Sequence, residues 1–323
     1  MLNKNRNTIL IVIFAVVVAI FLWSQFGTQN ESNYRTVLAQ FDTTGVDQVH
    51  IFPAAGAPDF TLSRSGNHWI IKSSDGKQYA ADPKLVKNTI DLLNGTKVKR
   101  VASQNTADHE KFAITNDKGT RVEIKAGGKE LANLILGKFD YIQPKNAQPD
   151  ALGRQPQGEM IFYAALPGEP TVYVVDGQVG FGVGKDVNSF RDKTLTNIDK
   201  SNISEVTMET PGQKTDRLVK DGNRWLFNDQ IADSAKVAQY LSRVSRQNGS
   251  KLAEVKEVLS LPLVNAVKIK GEDFDEVVIQ SFQQDSVNFL VTSTQNAEAV
   301  FLDNGNKLLD RFMEDGEFFL KAK

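Results

Sequence analysis

The chain has 323 residues, 41% hydrophobic and 24% charged, enough apolar material for more than one domain of ordinary size. Its 38 Lys and Arg against 39 Asp and Glu leave a net charge of -1, which gives no reason to expect a nucleic-acid surface, and no nucleic-acid partner is expected. Cysteine is absent, which excludes disulfides, thiolate nucleophiles, cysteine-ligated zinc or iron–sulfur centres and a lipidated cysteine.

Lys4 and Arg6 precede an unbroken apolar run over 9–23, and Thr8, Ser24, Gln25 and Phe26 extend it to 8–26. At 1.5 Å per residue that length spans about 28 Å, close to the hydrocarbon core of a bilayer. The two cations favour a cytoplasmic N-terminus, and Trp23 suits the opposite interface. Trp23 and Phe26 also make a poor exit for signal peptidase, which takes small residues. A single-pass signal-anchor in contact with membrane lipid through 8–26 is therefore expected, with the bulk of the chain outside the cytoplasm.

Beyond it the chain passes twice through the same order of local signals. A strand pattern over 46–52 resumes at 60–63, and Gly66-Asn67 turns into His68-Trp69-Ile70-Ile71. Asp82-Pro83 then opens a helix with Leu85, Val86, Thr89, Ile90 and Leu93 on one face. The second pass has strands at 203–208 and 216–220, and Gly222-Asn223 turning into Arg224-Trp225-Leu226-Phe227. Asp233 follows, before a helix with Val237, Tyr240, Leu241 and Val244 on one face. Asp82 and Asp233 are expected as helix N-caps. Trp69 and Trp225 could form a sugar-binding platform, but their matched places after a turn favour one buried structural anchor per copy. Further strand patterns follow in both copies, and Leu308, Leu309, Phe312 and Met313 stripe a predicted C-terminal helix. The pattern predicts an α+β fold: an N-terminal transmembrane helix, then two related lobes of mostly antiparallel sheet, each with a packed helix. The anchor takes 1–27, the tether 28–40, the first lobe 41–199 and the second lobe 200–323.

No catalytic signature stands out. His50, His68 and His109 occupy no His-Glu-x-x-His context, and no Gly-x-Ser-x-Gly elbow occurs. Gly180-Phe181-Gly182-Val183-Gly184-Lys185 is followed by Asp186 rather than Ser or Thr, so it reads as a glycine-rich strand or turn and not a phosphate loop. No cofactor, metal or catalytic residue is expected, which argues against an enzyme. Between the copies, Phe190, Arg191, Asp192, Lys193 and Leu195 place three charges between apolar ends. One reading is an inter-repeat bridge in which Arg191 and Asp192 pair. The other is contact with a partner subunit, for which an arginine beside apolar anchors has a suitable composition.

Trp69-Ile70-Ile71, Tyr79-Ala80-Ala81-Asp82 and the amphipathic helix after them resemble the bacterial family called domain of unknown function 4340. Phe112-Ala113-Ile114, Leu134-Ile135-Leu136-Gly137 and Phe190-Arg191-Asp192-Lys193-Thr194-Leu195 carry the resemblance further. Lys111-Phe112-Ala113-Ile114-Thr115 departs from the family's Tyr-Gly-Leu before a proline, so this loop is expected to turn differently. The resemblance implies a bacterial inner-membrane protein with a periplasmic C-terminal domain. It also implies genes beside those of an ABC-type exporter permease and an auxiliary subunit of gliding-motility type, and no established site residues. The expectation is an extracytoplasmic accessory or scaffold protein of such a complex. The alternative is a periplasmic binding module for glycan, peptidoglycan or lipid. Alkaline phosphatase fused after Ser32 is expected to be active in whole cells; an inactive fusion, with a cytoplasmic reporter active at the same point, would reverse the topology.

Overall fold

The computed structural model describes residues 35–54, 57–144, 157–184, 186–255 and 257–320. The expected membrane helix over 8–26 lies outside the described residues. Among the described residues no helix is long and apolar enough to cross a membrane.

In the first half the strands are β1 (Gln48–Phe52), β2 (Phe60–Ser65), β3 (His68–Ser73), β4 (Gln78–Ala81), β5 (Val98–Ser103), β6 (Thr120–Ala126), β7 (Lys129–Ile142), β8 (Glu159–Ala165) and β9 (Val172–Asp176). Helix α1 (Pro83–Leu93) follows β4, and the short α2 (Gly177–Gly182) follows β9. After β10 (Thr194–Asn197) come β11 (Ile203–Glu209), β12 (Asp216–Asp221), β13 (Arg224–Phe227), β14 (Gln230–Ile231) and α3 (Ser234–Val244). The chain continues through β15 (Arg246–Asn248), β16 (Lys251–Ala253), β17 (Leu263–Gly271), β18 (Val277–Gln283), β19 (Asn288–Ser293), β20 (Val300–Asn304) and α4 (Gly316–Phe319).

The strand order is β4-β3-β2-β1-β6-β7-β8-β9-β5 in one sheet and β14-β13-β12-β11-β17-β18-β19-β20-β16 in the other. Counted from β1 and from β11, with the inserted ribbon strands β10 and β15 left out, the two orders are the same. The described pairings are antiparallel. The duplication heard in the hairpin sequences therefore runs through both halves, and the fold is mostly antiparallel sheet with few helices. Strands β10 and β15 pair with each other as a separate ribbon that has no counterpart in the repeat.

Local chemistry explains why the copies start alike. Ser65 faces His68 and Asp221 faces Arg224 across two-residue turns. Gly66 and Gly222 take φ of 60° and 58° at the first turn position, as a primed hairpin turn requires. On α1, Val86, Thr89, Ile90 and Leu93 are buried as their spacing predicts, but Leu85 is exposed. On α3, Val237, Tyr240, Leu241 and Val244 are all buried, and the Tyr240 hydroxyl donates to the Phe312 carbonyl at 2.7 Å.

Two compact units divide the chain: residues 44–90, 123–130 and 183–323, and residues 1–43, 91–122 and 131–182. The core of the first gathers Val206, Leu218, Phe227, Tyr240, Ile269, Ile279, Phe301 and Phe312. The core of the second gathers Phe112, Ile114, Ile135, Ile161, Tyr163, Val172 and Val174.

Other expectations differ from the structure as well. Trp69 and Trp225 are half-buried rather than fully buried, and Trp225 packs against the core of its unit. Each stands at the rim of its sheet beside the hairpin turn, and the deep position on that face comes two residues later, at Ile71 and Phe227. The predicted C-terminal helix is two short pieces, a 3-10 turn at Leu309–Arg311 and α4. Asp315 separates them, because its carboxylate accepts from the Glu317 and Phe318 amides and starts a new turn. Finally, Ala113 adopts φ of 55°, so the loop keeps a left-handed turn without glycine.

Gly137 is the reason that loop can lie where it does. A Cβ there would stand 2.2 Å from the Phe112 carbonyl oxygen, while the Lys138 amide donates to the same oxygen at 3.1 Å. Ala113→Gly is expected to stabilise the protein by about 1 kcal/mol by removing the left-handed penalty. Gly137→Ala is expected to destabilise it by about 2–3 kcal/mol through backbone displacement. Denaturant melts of the detergent-solubilised protein read both; equal melts for parent and Ala113→Gly would remove the strain from the account.

Candidate functional site: a polar cleft and an exposed aromatic patch

The segment 190–197 determines what stands around it. Asp186 caps the 3-10 turn Val187–Ser189, which delivers Phe190 into the interior at 2% exposure, 5.8 Å from the Phe60 ring. The Phe190 carbonyl accepts from the Asp82 amide at 2.8 Å, and the Asp192 amide donates to the Ala80 carbonyl at 3.0 Å. These bonds flank the bridge between Ala81 and Arg191, so the segment extends the sheet beyond β4. The second half repeats the closure. Asp315 caps α4, Phe319 stacks on Phe227 at 5.0 Å, and its carbonyl accepts from the Asp233 amide at 2.8 Å. Sequence reasoning missed this pair, although the Asp-x-x-x-Phe spacing of Asp186–Phe190 and Asp315–Phe319 carries the signal.

Both expected caps are present. The Asp82 carboxylate accepts from the Lys84 amide at 2.8 Å, and that of Asp233 accepts from the Ala235 and Lys236 amides. The expected Arg191–Asp192 pair gives way to other partners. Arg191 is 5% exposed, lays its guanidinium 4.0 Å from the centre of the Tyr79 ring and donates to Glu254 at 2.6 Å. The Asp192 carboxylate accepts from the Thr194 amide at 2.8 Å. The Lys193 carbonyl accepts from the Gly249 amide, and the carbonyl of the fully buried Leu195 accepts from Ser293. Of the five residues weighed for partner contact, Phe190, Arg191 and Leu195 are thus buried within their own unit, and Asp192 and Lys193 are half-buried.

Around this clamp lies a cleft of about 780 Å³. Trp69 and Gln78, Tyr79 come from β3 and β4, and Lys84 from the first turn of α1. Thr194 and Asn197 on β10, Arg246 and Asn248 on β15, and Glu298 complete the polar walls. His68 also lines the cleft. His50 instead bonds Asp59 at 2.8 Å, which holds the Asp59 carboxyl below its ordinary range, and His109 contacts the Pro170 carbonyl. Among the described residues no group of His, Asp and Glu is placed to hold a metal ion.

The other unit carries a different surface. Helix α2 lies flush on β8 because Gly177 and Gly180 have no side chain: a Cβ on either would meet Met160 or the Phe162 ring within 2.7 Å. The glycine-rich stretch is thus the end of a short helix rather than a strand. Its close seat turns the Phe181 ring outward, 5.2 Å from Phe139 and 5.3 Å from Phe162. Phe139, Tyr141, Met160 and Phe181 are 41–59% exposed. Beside them Lys99 bridges Glu159 at 2.6 Å and Asp176 at 3.0 Å, and the bond to Glu159 holds the ammonium above its ordinary pKa.

The family described as "Domain of unknown function (DUF4340)" matches residues 72–262, more than half of the chain. No curated protein and no solved structure matches. The matched span holds α1, Gly137, the 190–197 clamp and the ribbon. Arg191→Ala is expected to cost about 2 kcal/mol, through the lost ring contact, stem packing and charged hydrogen bond. Arg191→Lys is expected to recover less than half, because an ammonium cannot stack on Tyr79 as a planar fork does. Urea titrations of the three proteins measure this, and a loss below about 0.5 kcal/mol for Arg191→Ala would make the clamp incidental.

Proposed function

The chain belongs to the DUF4340 family, and on that footing we propose that it is a membrane-anchored, extracytoplasmic accessory or scaffold protein that docks a partner protein. The observation that carries the proposal is the patch of Phe139, Tyr141, Met160 and Phe181. Contiguous aromatic and thioether surface rimmed by charge is the composition of a protein-docking site. Among the described residues the rim favours protein over lipid: two carboxylates, Glu159 and Asp176, meet one ammonium, Lys99, which gives anionic headgroups no net attraction. The run over 8–26 supplies the anchor and its preceding cations the orientation, with the folded part in the periplasm of a bacterial inner membrane. The partners best suited to this placement are the permease and auxiliary subunits of an ABC-type exporter.

A second reading, a periplasmic binding module for glycan, peptidoglycan or lipid, draws on a different observation, the cleft. Its amide, hydroxyl and charged walls suit a polar ligand better than an acyl chain.

Phe139→Glu together with Phe181→Glu places charge in the patch at positions already exposed, so folding is expected to persist. After extraction in a mild detergent, the parent is expected to co-purify with permease and ATPase subunits. The double variant is expected to recover at least about tenfold less, equivalent to about 1.4 kcal/mol of docking energy. Equal recovery from both proteins, or a parent that purifies alone, counts against the scaffold.

A further inference from the structure

We infer that the cleft beside Trp69 is a binding site for an uncharged polyhydroxylated ligand, a short saccharide. The inference deepens the binding-module reading and does not depend on the aromatic patch. At about 780 Å³ the cleft lies within the range of ligand sites, about 300–1,000 Å³.

Its walls select the chemistry. Trp69 is half-buried, and Tyr79 lies on the same face of the hairpin, since Trp69 pairs with Ala81 and Tyr79 with Ile71. Arg191, seated 4.0 Å from the Tyr79 ring, fixes that ring before any ligand arrives. The Tyr79 ring, with one side already fixed, and the half-buried Trp69 offer an apolar platform, and the C–H face of a sugar ring complements their negative π surface. From the ribbon, Thr194 and Asn248 also line the cleft, and their side chains have no hydrogen-bond partner among the described residues. Amides and hydroxyls both donate and accept, as a sugar hydroxyl does.

The same walls argue against other ligands. Lys84 and Arg246 are outnumbered by the carboxylates of Asp82, Asp192 and Glu298, so no positive field favours a phosphate. A peptide would add as a strand along β4, but at 80–82 that edge is taken by 190–192. The ribbon of β10 and β15, which supplies Thr194 and Asn248, is the element that the duplication does not repeat. The cleft is therefore an addition to the repeated scaffold and not a by-product of it.

The full chain in detergent, carrying Trp225→Phe so that Trp69 dominates the emission change, is titrated with chitotriose, maltotriose and inorganic phosphate. Calorimetry is run on the same samples. At least one trisaccharide is expected to shift the emission saturably, with phosphate causing no change. Asn248→Ala, at an exposed position, is expected to weaken that binding about tenfold or more while melting temperature and partner co-purification stay at parental values. Trp69→Phe is expected to retain calorimetric binding at reduced affinity. Absence of binding by both trisaccharides overturns the inference. So does binding that Asn248→Ala leaves unchanged, or saturable binding of phosphate.

Discussion

Two backbone hydrogen bonds organise this molecule: the Asp82 amide to the Phe190 carbonyl, and the Asp233 amide to the Phe319 carbonyl, each 2.8 Å. Each joins the residue that caps the main helix of a repeat to the phenylalanine that closes it. The aspartate is committed twice, its carboxylate to the first helical amides and its own amide to the returning chain. The closing segment is thereby held in one register, and the phenylalanine enters a core already lined by Phe60 or Phe227. An unmade bond would leave a buried amide and carbonyl without partners, at about 1–3 kcal/mol each.

In the first repeat the closing chain continues as 190–197, and the surroundings turn on that continuation. Arg191 follows Phe190 and so is set over Tyr79; Asp192 bonds Ala80; Lys193 and Leu195 bond Gly249 and Ser293. A segment whose charges invite a surface reading is used internally because its backbone has already been committed to a sheet edge. The exposed apolar side chains that remain for a partner arise elsewhere, where glycines let α2 sit so low on β8 that Phe181 has nowhere to go but outward.

What could be read from the sequence was what is local. The hairpin turns at Gly66 and Gly222, the caps at Asp82 and Asp233 and the buried faces of the two helices depend on residues within a few positions of one another. Membership of the family was legible for the same reason, in short contiguous motifs. Trp69 and Trp225 lie shallower than their size and strand position suggest, because depth depends on what covers the sheet rim. The Phe190 and Phe319 closures, the Arg191–Glu254 pair and the cleft join residues tens of positions apart. The Asp-x-x-x-Phe spacing marks the two closing segments but does not say which residues they meet.

The pairing of β10 with β15 has a temporal meaning as well. Thr194 and Asn248 face each other across that ribbon, yet the ribosome emits the whole of β11–β14 and α3 between them. When Phe190 emerges during synthesis, the wall of the cleft that β15 supplies does not yet exist. A chain cut just before α3 would keep Trp69, Tyr79 and the closure that orders them, and would lack Arg246 and Asn248 altogether. The cleft is thus complete only once Arg246 and Asn248, beyond α3, have joined the residues of the first copy.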